Sequence, residues 1–93
     1  MREEKALKIS EVMKLISDPG RVQIMEALLF KKEGMCVNEI AKLTNSTHSA
    51  TSHQLAKLER KGVVSCFREG QNVYYEVRIN SLTKQIKKII KVF

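Results

Sequence analysis

The sequence lacks tryptophan altogether, and among its 93 residues it has one proline, four glycines and two cysteines. Two thiols cannot form the disulfide network that small secreted domains use, and in a reducing compartment they are usually free. No apolar run approaches the roughly 20 residues that span a bilayer, and the charged start of the chain is not followed by the apolar core of a signal peptide. We therefore expect a cytoplasmic protein that is not inserted in a membrane.

Glycine and proline are scarce and no repeat or low-complexity tract occurs, so nothing in the sequence resembles a linker between domains. A length of 93 residues suits one domain, and we expect residues 1–93 to form it. Such a domain buries only about two thirds of the surface of its unfolded chain, so its stability is marginal unless something enlarges the core. Dimerisation is the expected addition.

Acidic residues are outnumbered, because 17 Lys and Arg face 10 Asp and Glu to give a net charge of +7. This excess favours a polyanionic partner. Nucleic acid and an anionic membrane surface both meet that description, so composition leaves both open.

Apolar periodicity and capping residues predict a mainly α-helical chain with one β-hairpin. Asp18 followed by Pro19 is typical of a helix start, and Gly62 is typical of a helix end. Asn80 or Ser81 is expected to cap the last helix. The predicted elements are helices over 3–16, from 19 to a stop at 31–34, over 38–43, 48–61 and 81–93, a short strand at 35–37, and strands 63–67 and 73–77 joined by a loop at 68–72.

The predicted helix 48–61 has two unlike sides. On a helical wheel Thr51, Leu55 and Leu58 share an apolar side, and the opposite side has short polar residues that let a backbone approach a groove floor. The second helix of a helix-turn-helix is presented to DNA in this way. Hydroxyls at a helix start are also common caps, and a lone His is often only a surface residue. The residues predicted here to bind DNA are Thr47, His48, Ser49, Ser52 and His53, of which Ser49, Ser52 and His53 are expected to read the groove.

Two further groups of polar residues are predicted to assist this helix. Lys57 and Arg60 lie near its end, where they would meet backbone phosphates without specifying sequence. At the hairpin tip Arg68, Gln71 and Asn72 can reach a minor groove or phosphates, unless the tip is simply a solvated turn.

Three segments carry a resemblance to a known family: SDPGRVQI at 17–24, THSATSHQLAKL at 47–58 and REGQNVYY at 68–75. In order and separation they resemble the ArsR/SmtB family of small repressors over nearly the whole chain. The resemblance implies a winged helix-turn-helix fold of order α-α-β-α-α-β-β-α. It also implies a homodimer, joined mainly by the first and last helices, that occupies a palindromic operator in double-stranded DNA and blocks transcription until an inducer is sensed.

The last helix supports a dimer independently, because its apolar stripe is too long for a helix left in water. Packing within one chain is the other way to cover the stripe. The residues predicted at the dimer interface are Ile9, Val12, Ile16, Leu82, Ile86, Ile89, Ile90 and Phe93.

Metal sensing in the family this chain resembles uses thiolates at the third helix or Asp, His and Glu on the last. Cys36 matches one thiolate, but Asn38 stands in the place of the second, and the last helix has no ligand residue after Asn80. A closed zinc site needs about four N or S ligands. We therefore expect the protein to bind no metal and no cofactor. The alternative is a metal-responsive repressor whose metal site differs from those of the family.

Thiol chemistry is the remaining route for a signal. Cys36 and Cys66 are predicted to lie in neighbouring parts of one small sheet, where a bridge formed by oxidation or persulfidation would distort the helix-turn-helix relative to the wing. Both residues can equally be small apolar fillers, since free Cys is among the most buried residue types. Cα atoms more than about 7 Å apart cannot bridge without backbone movement.

A protein-interaction module and an enzyme are the other function classes for a chain of this kind. The amphipathic last helix would also suit a protein-interaction module that docks an acidic partner or a membrane surface. An enzyme is not expected, because neither His has a nucleophile with a third orienting group and no phosphate-binding glycine motif occurs.

Overall fold

A computed structural model describes residues 1–93. The order of elements is the predicted one, and the mainly helical fold with a two-stranded hairpin is confirmed. A π-helical turn, Ala27–Lys31, continues α2. The elements are α1 Glu3–Leu15, α2 Pro19–Glu26, α3 Val37–Leu43, α4 His48–Arg60, β1 Val64–Glu69, β2 Asn72–Val77 and α5 Ser81–Val92.

Helix starts follow the capping signals in the sequence. The Asp18 carboxylate accepts a hydrogen bond from the Arg21 backbone N–H at 3.1 Å, and Pro19 opens the helix where its missing N–H leaves no carbonyl unpaired. Asn80 caps α5 in the same manner, with its Oδ1 accepting from the Thr83 N–H at 3.0 Å. These local bonds fix where α2 and α5 begin.

The hairpin is longer and its turn tighter than predicted. The antiparallel register runs from the pair Val64↔Val77 to the pair Glu69↔Asn72, so only Gly70 and Gln71 form the turn. Gly70 has φ 64°, the conformation that two-residue hairpin turns with glycine in the first position require. The predicted loop 68–72 is therefore wrong at both ends. The predicted strand at 35–37 is a single antiparallel bridge between Met35 and Tyr75.

One core joins all the helices to the base of the hairpin. Two residues predicted at the dimer interface lie inside it, since Val12 is 5% exposed and Ile86 is fully buried in their own chain. They are therefore not available to a partner. Leu43, the last residue of α3, is 52% exposed. The core residues are Val12, Leu15, Ile24, Met25, Ala27, Leu28, Met35, Ile40, Leu55, Leu58, Val63, Val64 and Ile86.

None of the helices combines the length and the apolar character that crossing a membrane requires.

Candidate nucleic-acid interface

Helix α4 is anchored by one side and exposes the other. Thr51, Leu55 and Leu58 are buried beneath it, as the wheel predicts. Ser49, Ser52 and His53 are exposed on the outer side. The helix therefore presents short polar side chains to its surroundings on a rigid base.

The start of α4 is fixed by a cap and by a turn. The Thr47 hydroxyl accepts from the Ala50 N–H at 3.0 Å, so this side chain serves as the helix cap. The preceding turn contains Asn45 with φ 52°, the left-handed conformation that asparagine tolerates better than most residues. Helix α3, this turn and α4 together form a helix-turn-helix.

A side-chain hydrogen bond connects the two helices of this unit. His48 Nδ1 lies 2.7 Å from Asn38 Oδ1, and both residues are exposed. The sequence pattern gave no signal for this pairing, because the two residues lie ten positions apart on different helices.

The inner flank of α4 is held by a polar network from the junction of α1 and α2. Gln54 Nε2 donates to Asp18 Oδ2 at 2.8 Å, and Gln54 Oε1 accepts from Arg21 Nη1 at 3.3 Å. A Cβ at Gly20 would lie 3.0 Å from Asp18 Oδ2 and 3.5 Å from Gln54 Nε2. A side chain at position 20 would therefore press on the Asp18 carboxylate that binds Gln54.

Basic residues gather where α4 ends. Lys57, Arg60 and Lys61 share a groove with Lys14 and Arg21, and Glu11 is the one acidic group lining it. The sequence predicts Lys57 and Arg60 as phosphate contacts but not Lys14, which α1 contributes through the tertiary fold. The groove continues the polar side of α4 with positive charge.

The wing presents its predicted residues at the outer end. Arg68, Gln71 and Asn72 are all exposed, with Arg68 opposite Val73 and Asn72 opposite Glu69 in the ladder. Phe67 and Tyr74 stack on the hairpin with ring centroids 5.6 Å apart. This stacked pair stiffens the wing without covering its tip.

The two cysteines lie on opposite edges of the small sheet. Cys66 is paired with Tyr75 from one side, and Met35, the neighbour of Cys36, exchanges backbone hydrogen bonds with Tyr75 from the other at 2.8 and 3.0 Å. Two strand spacings then separate the Cα atoms of Met35 and Cys66, which amounts to about 10 Å, and Cys36 lies one residue beyond Met35. A bridge between them requires backbone movement.

A carboxylate lies beside each cysteine. Cys66 Sγ lies 3.6 Å from Glu59 Oε2, and the Cys36 N–H donates to Glu39 Oε1 at 3.2 Å. Lys32 bonds Glu39 at 2.8 Å, and that hydrogen bond holds the pKa of the Glu39 carboxyl below its usual value. No group of three or more His, Cys, Asp or Glu side chains is arranged to hold a metal ion.

A helix-turn-helix followed by a two-stranded wing defines the chain as a winged helix-turn-helix protein. Residues 18–65 match the family described as bacterial regulatory protein, arsR family. The chain belongs to this arsR family, whose members are DNA-binding transcription regulators and not enzymes.

Named relatives agree with this assignment. The chain is 36% identical over 70 residues to the cadmium resistance transcriptional regulatory protein CadC of Listeria innocua, a match that covers 75% of this chain and 58% of that protein. The chain thus spans less than two thirds of that relative's length. It is 35% identical to the transcriptional repressor SdpR of Bacillus subtilis, covering 84% of each chain.

A solved structure shares the fold. The homodimeric winged helix-turn-helix DNA-binding domain of Mb0332 from Mycobacterium bovis superposes with a TM-score of 0.77 at 24% identity. The match covers 99% of this chain and 86% of that one. The predicted family and fold are both confirmed.

Proposed function

We propose that residues 1–93 act in the cytoplasm as one homodimeric winged helix-turn-helix unit that represses transcription by binding a palindromic operator. The observation that carries this proposal is the outer side of α4, where Ser49, Ser52 and His53 are exposed above a buried base. These side chains are short enough to let the helix enter a major groove. Thr47 caps α4, and His48 is the first residue of this helix.

Positive charge beside the recognition helix supplies phosphate contacts. Lys57 and Arg60 continue the side of α4 that reads bases, and Lys14 and Lys61 widen the basic groove. Arg68, Gln71 and Asn72 at the wing tip contact the adjacent minor groove or its phosphates. Each neutralised phosphate adds about 0.9 to the slope of log affinity against log salt, so loss of one lysine reduces the slope by about one.

The dimer forms through apolar surface that the protomer leaves uncovered. Ile9 is 41% exposed, Met13 is 46% exposed and Phe93 is fully exposed. Ile16, Leu82, Ile89 and Ile90 are half-buried on the same two helices. Homodimer formation by the Mycobacterium bovis domain supports this arrangement. A two-fold dimer presents two copies of α4, which accounts for a palindromic operator.

For the signal that releases the operator we propose the thiols of Cys36 and Cys66. Oxidation by a peroxide converts two thiols into a disulfide, and the peroxide is reduced to water. Because the two cysteines lie about two strand spacings apart, an intramolecular bridge has to displace either the start of α3 or the edge of the wing. Either displacement changes the position of the helix-turn-helix relative to the wing.

A mobility-shift assay on the DNA upstream of the coding sequence tests the repressor proposal. We expect a sequence-selective shift at moderate salt that is lost when Ser52 and His53 are both replaced by Ala. The control variant is Lys84→Ala, which removes an exposed charge from α5. Unselective binding by the wild-type protein, or selective binding that survives the double substitution, contradicts the proposal.

The sensor proposal is tested in the same assay with reduced, peroxide-treated and persulfide-treated protein. We expect the wild-type protein to bind the operator more weakly after either treatment. The affinity of Cys36→Ser or Cys66→Ser for the operator should be the same before and after treatment. Protein loaded with zinc or cadmium is assayed alongside, since the Listeria relative is named for cadmium resistance. Equal binding by all thiol forms contradicts thiol sensing, and release by metal alone replaces it with a metal response.

A further inference from the structure

The hydrogen bond between His48 and Asn38 determines which ring nitrogen of His48 is free. Asn38 Oδ1 is a carbonyl oxygen that can only accept, so His48 Nδ1, 2.7 Å away, is the donor. In a neutral imidazole one nitrogen carries the proton and the other carries a lone pair. Neutral His48 therefore has its proton on Nδ1 and offers Nε2 as an acceptor.

The position of His48 makes this choice of tautomer relevant to DNA. His48 is the first residue of α4, and the N-terminal residues of a recognition helix contact base edges. Its side chain is exposed, and the Thr47 cap fixes the backbone from which it projects. An imidazole acceptor matches the exocyclic amino groups of adenine and cytosine, whereas guanine presents only acceptors in the major groove.

We propose that Asn38 is a specificity-determining positioning residue, which holds His48 in the Nδ1–H form so that Nε2 selects adenine or cytosine. This inference rests on the proposed function, because it assigns base preference to the same recognition helix. Asn38 contacts no base itself. Its side chain orients the ring, and its place at the start of α3 links the two helices of the helix-turn-helix.

A purely structural role for the bond makes a different prediction. If Asn38 only braced α3 against α4, its removal would weaken binding to every sequence alike. A positioning role instead alters discrimination among bases at one symmetric position in each half-site. The decisive readout is thus the ratio of affinities for operators that differ at single base pairs.

The experiment measures dissociation constants of the dimer for the operator and for its single-base variants. Since one good base contact discriminates by about tenfold, we expect wild-type protein to prefer adenine or cytosine at one position by about tenfold, and Asn38→Ala to reduce the preference to about twofold. Asn38→Asp keeps an acceptor for Nδ1–H, but its negative charge also favours the imidazolium, in which Nε2 is a donor. It should therefore retain the preference, at lower overall affinity, only at a pH high enough to keep His48 neutral. In a His48→Ala background, Asn38→Ala should have no further effect on discrimination.

Lys42→Ala is the matched control, because Lys42 lines the same shallow groove between α3 and α4 without bonding α4. It should change all affinities by one common factor. A second readout is the imidazole nitrogen chemical shifts of His48, which should report the Nδ1–H form in wild-type protein and a shift toward Nε2–H in Asn38→Ala.

The outcomes separate this inference from the proposed function. Selective binding by wild-type protein with discrimination unchanged in Asn38→Ala overturns the inference alone, and so does an Nε2–H tautomer in the wild-type protein. An effect of Asn38→Ala that persists in the His48→Ala background also overturns it. Absence of selective binding by the wild-type protein overturns the proposed function, and the inference with it.

Discussion

Arg21→Ala is predicted to destabilise the protein by breaking the junction between α1, α2 and α4. The Arg21 guanidinium donates from Nε to the Leu15 carbonyl oxygen at 2.7 Å, and from Nη2 to the Lys14 carbonyl oxygen at 3.1 Å. Both carbonyls lie at the end of α1, where no later turn of the helix can bond them. The Lys14 carbonyl oxygen also accepts from the Ser17 hydroxyl at 2.8 Å. A third bond joins Nη1 to Gln54 Oε1 at 3.3 Å.

The magnitude follows from the strength and exposure of these bonds. A hydrogen bond from a charged group contributes about 1.5–3 kcal/mol, and solvent reduces this at half-exposed sites. The short Nε bond is therefore expected to contribute about 1.5 kcal/mol, and the two longer bonds about 0.5 kcal/mol each. Arg21→Ala should lower the free energy of unfolding by about 2–3 kcal/mol, or about 10–20 °C in melting temperature for a domain of this size.

Urea denaturation followed by circular dichroism measures this loss. All variants are compared at one protein concentration, because the proposed dimerisation would make apparent stability depend on concentration. Arg21→Lys is the matched control, since it keeps the charge but cannot bond three acceptors in a fork. It should recover less than half of the loss. A decrease below about 0.5 kcal/mol in Arg21→Ala, or full recovery in Arg21→Lys, would refute the reasoning.

Four other substitutions test the roles of buried and exposed side chains. Thr51 Oγ1 is buried without a hydrogen-bond partner. Thr51→Val should therefore leave the free energy of unfolding unchanged or raise it by up to about 1 kcal/mol in urea denaturation. A decrease of about 1 kcal/mol would contradict this prediction. Ile86 is fully buried, so Ile86→Ala should lower the free energy of unfolding by about 2–5 kcal/mol. Phe93 is fully exposed, so Phe93→Ala should leave the free energy of unfolding of the protomer unchanged but weaken the dimer at least about tenfold in analytical ultracentrifugation. An unchanged dimer in Phe93→Ala argues against the proposed interface. Burial raises the pKa of the Tyr75 hydroxyl above its usual value of 10.0, so this group ionises in the unfolded chain before it ionises in the folded protein. The contribution of Tyr75 to the free energy of unfolding is therefore fully present below pH 10 and is lost as the pH rises above it. Tyr75→Phe should reduce that loss when unfolding is measured over a pH series.

Elements defined by neighbouring residues were predictable from the sequence. Helix α4 begins after Thr47 and ends before Gly62, whose φ of 76° is one that L side chains rarely adopt. Both signals lie next to the residues that they affect, so no tertiary information is needed. The exposed polar side of α4 follows from the same local periodicity.

Features that depend on distant partners were not predictable in this way. An apolar stripe shows that one side of a helix is covered, but it does not show whether the cover is the same chain or another copy. Val12 and Ile86 illustrate the first case, since they pack in the protomer core, and Phe93 remains exposed. The bond from Asn38 to His48 joins two helices whose separation only the tertiary fold determines.

The recognition helix is held by contacts from separate elements, which limits how a signal can reach it. Gln54 links α4 to the end of α1 through Arg21, and His48 links it to the start of α3 through Asn38. Helix α1 carries part of the proposed dimer surface, whereas α3 begins beside Cys36. A change at the dimer interface would therefore act on the middle of α4, whereas a change at the Cys36 thiol would act on the N-terminus of α4. Only the second route passes directly through the residue proposed to select the base.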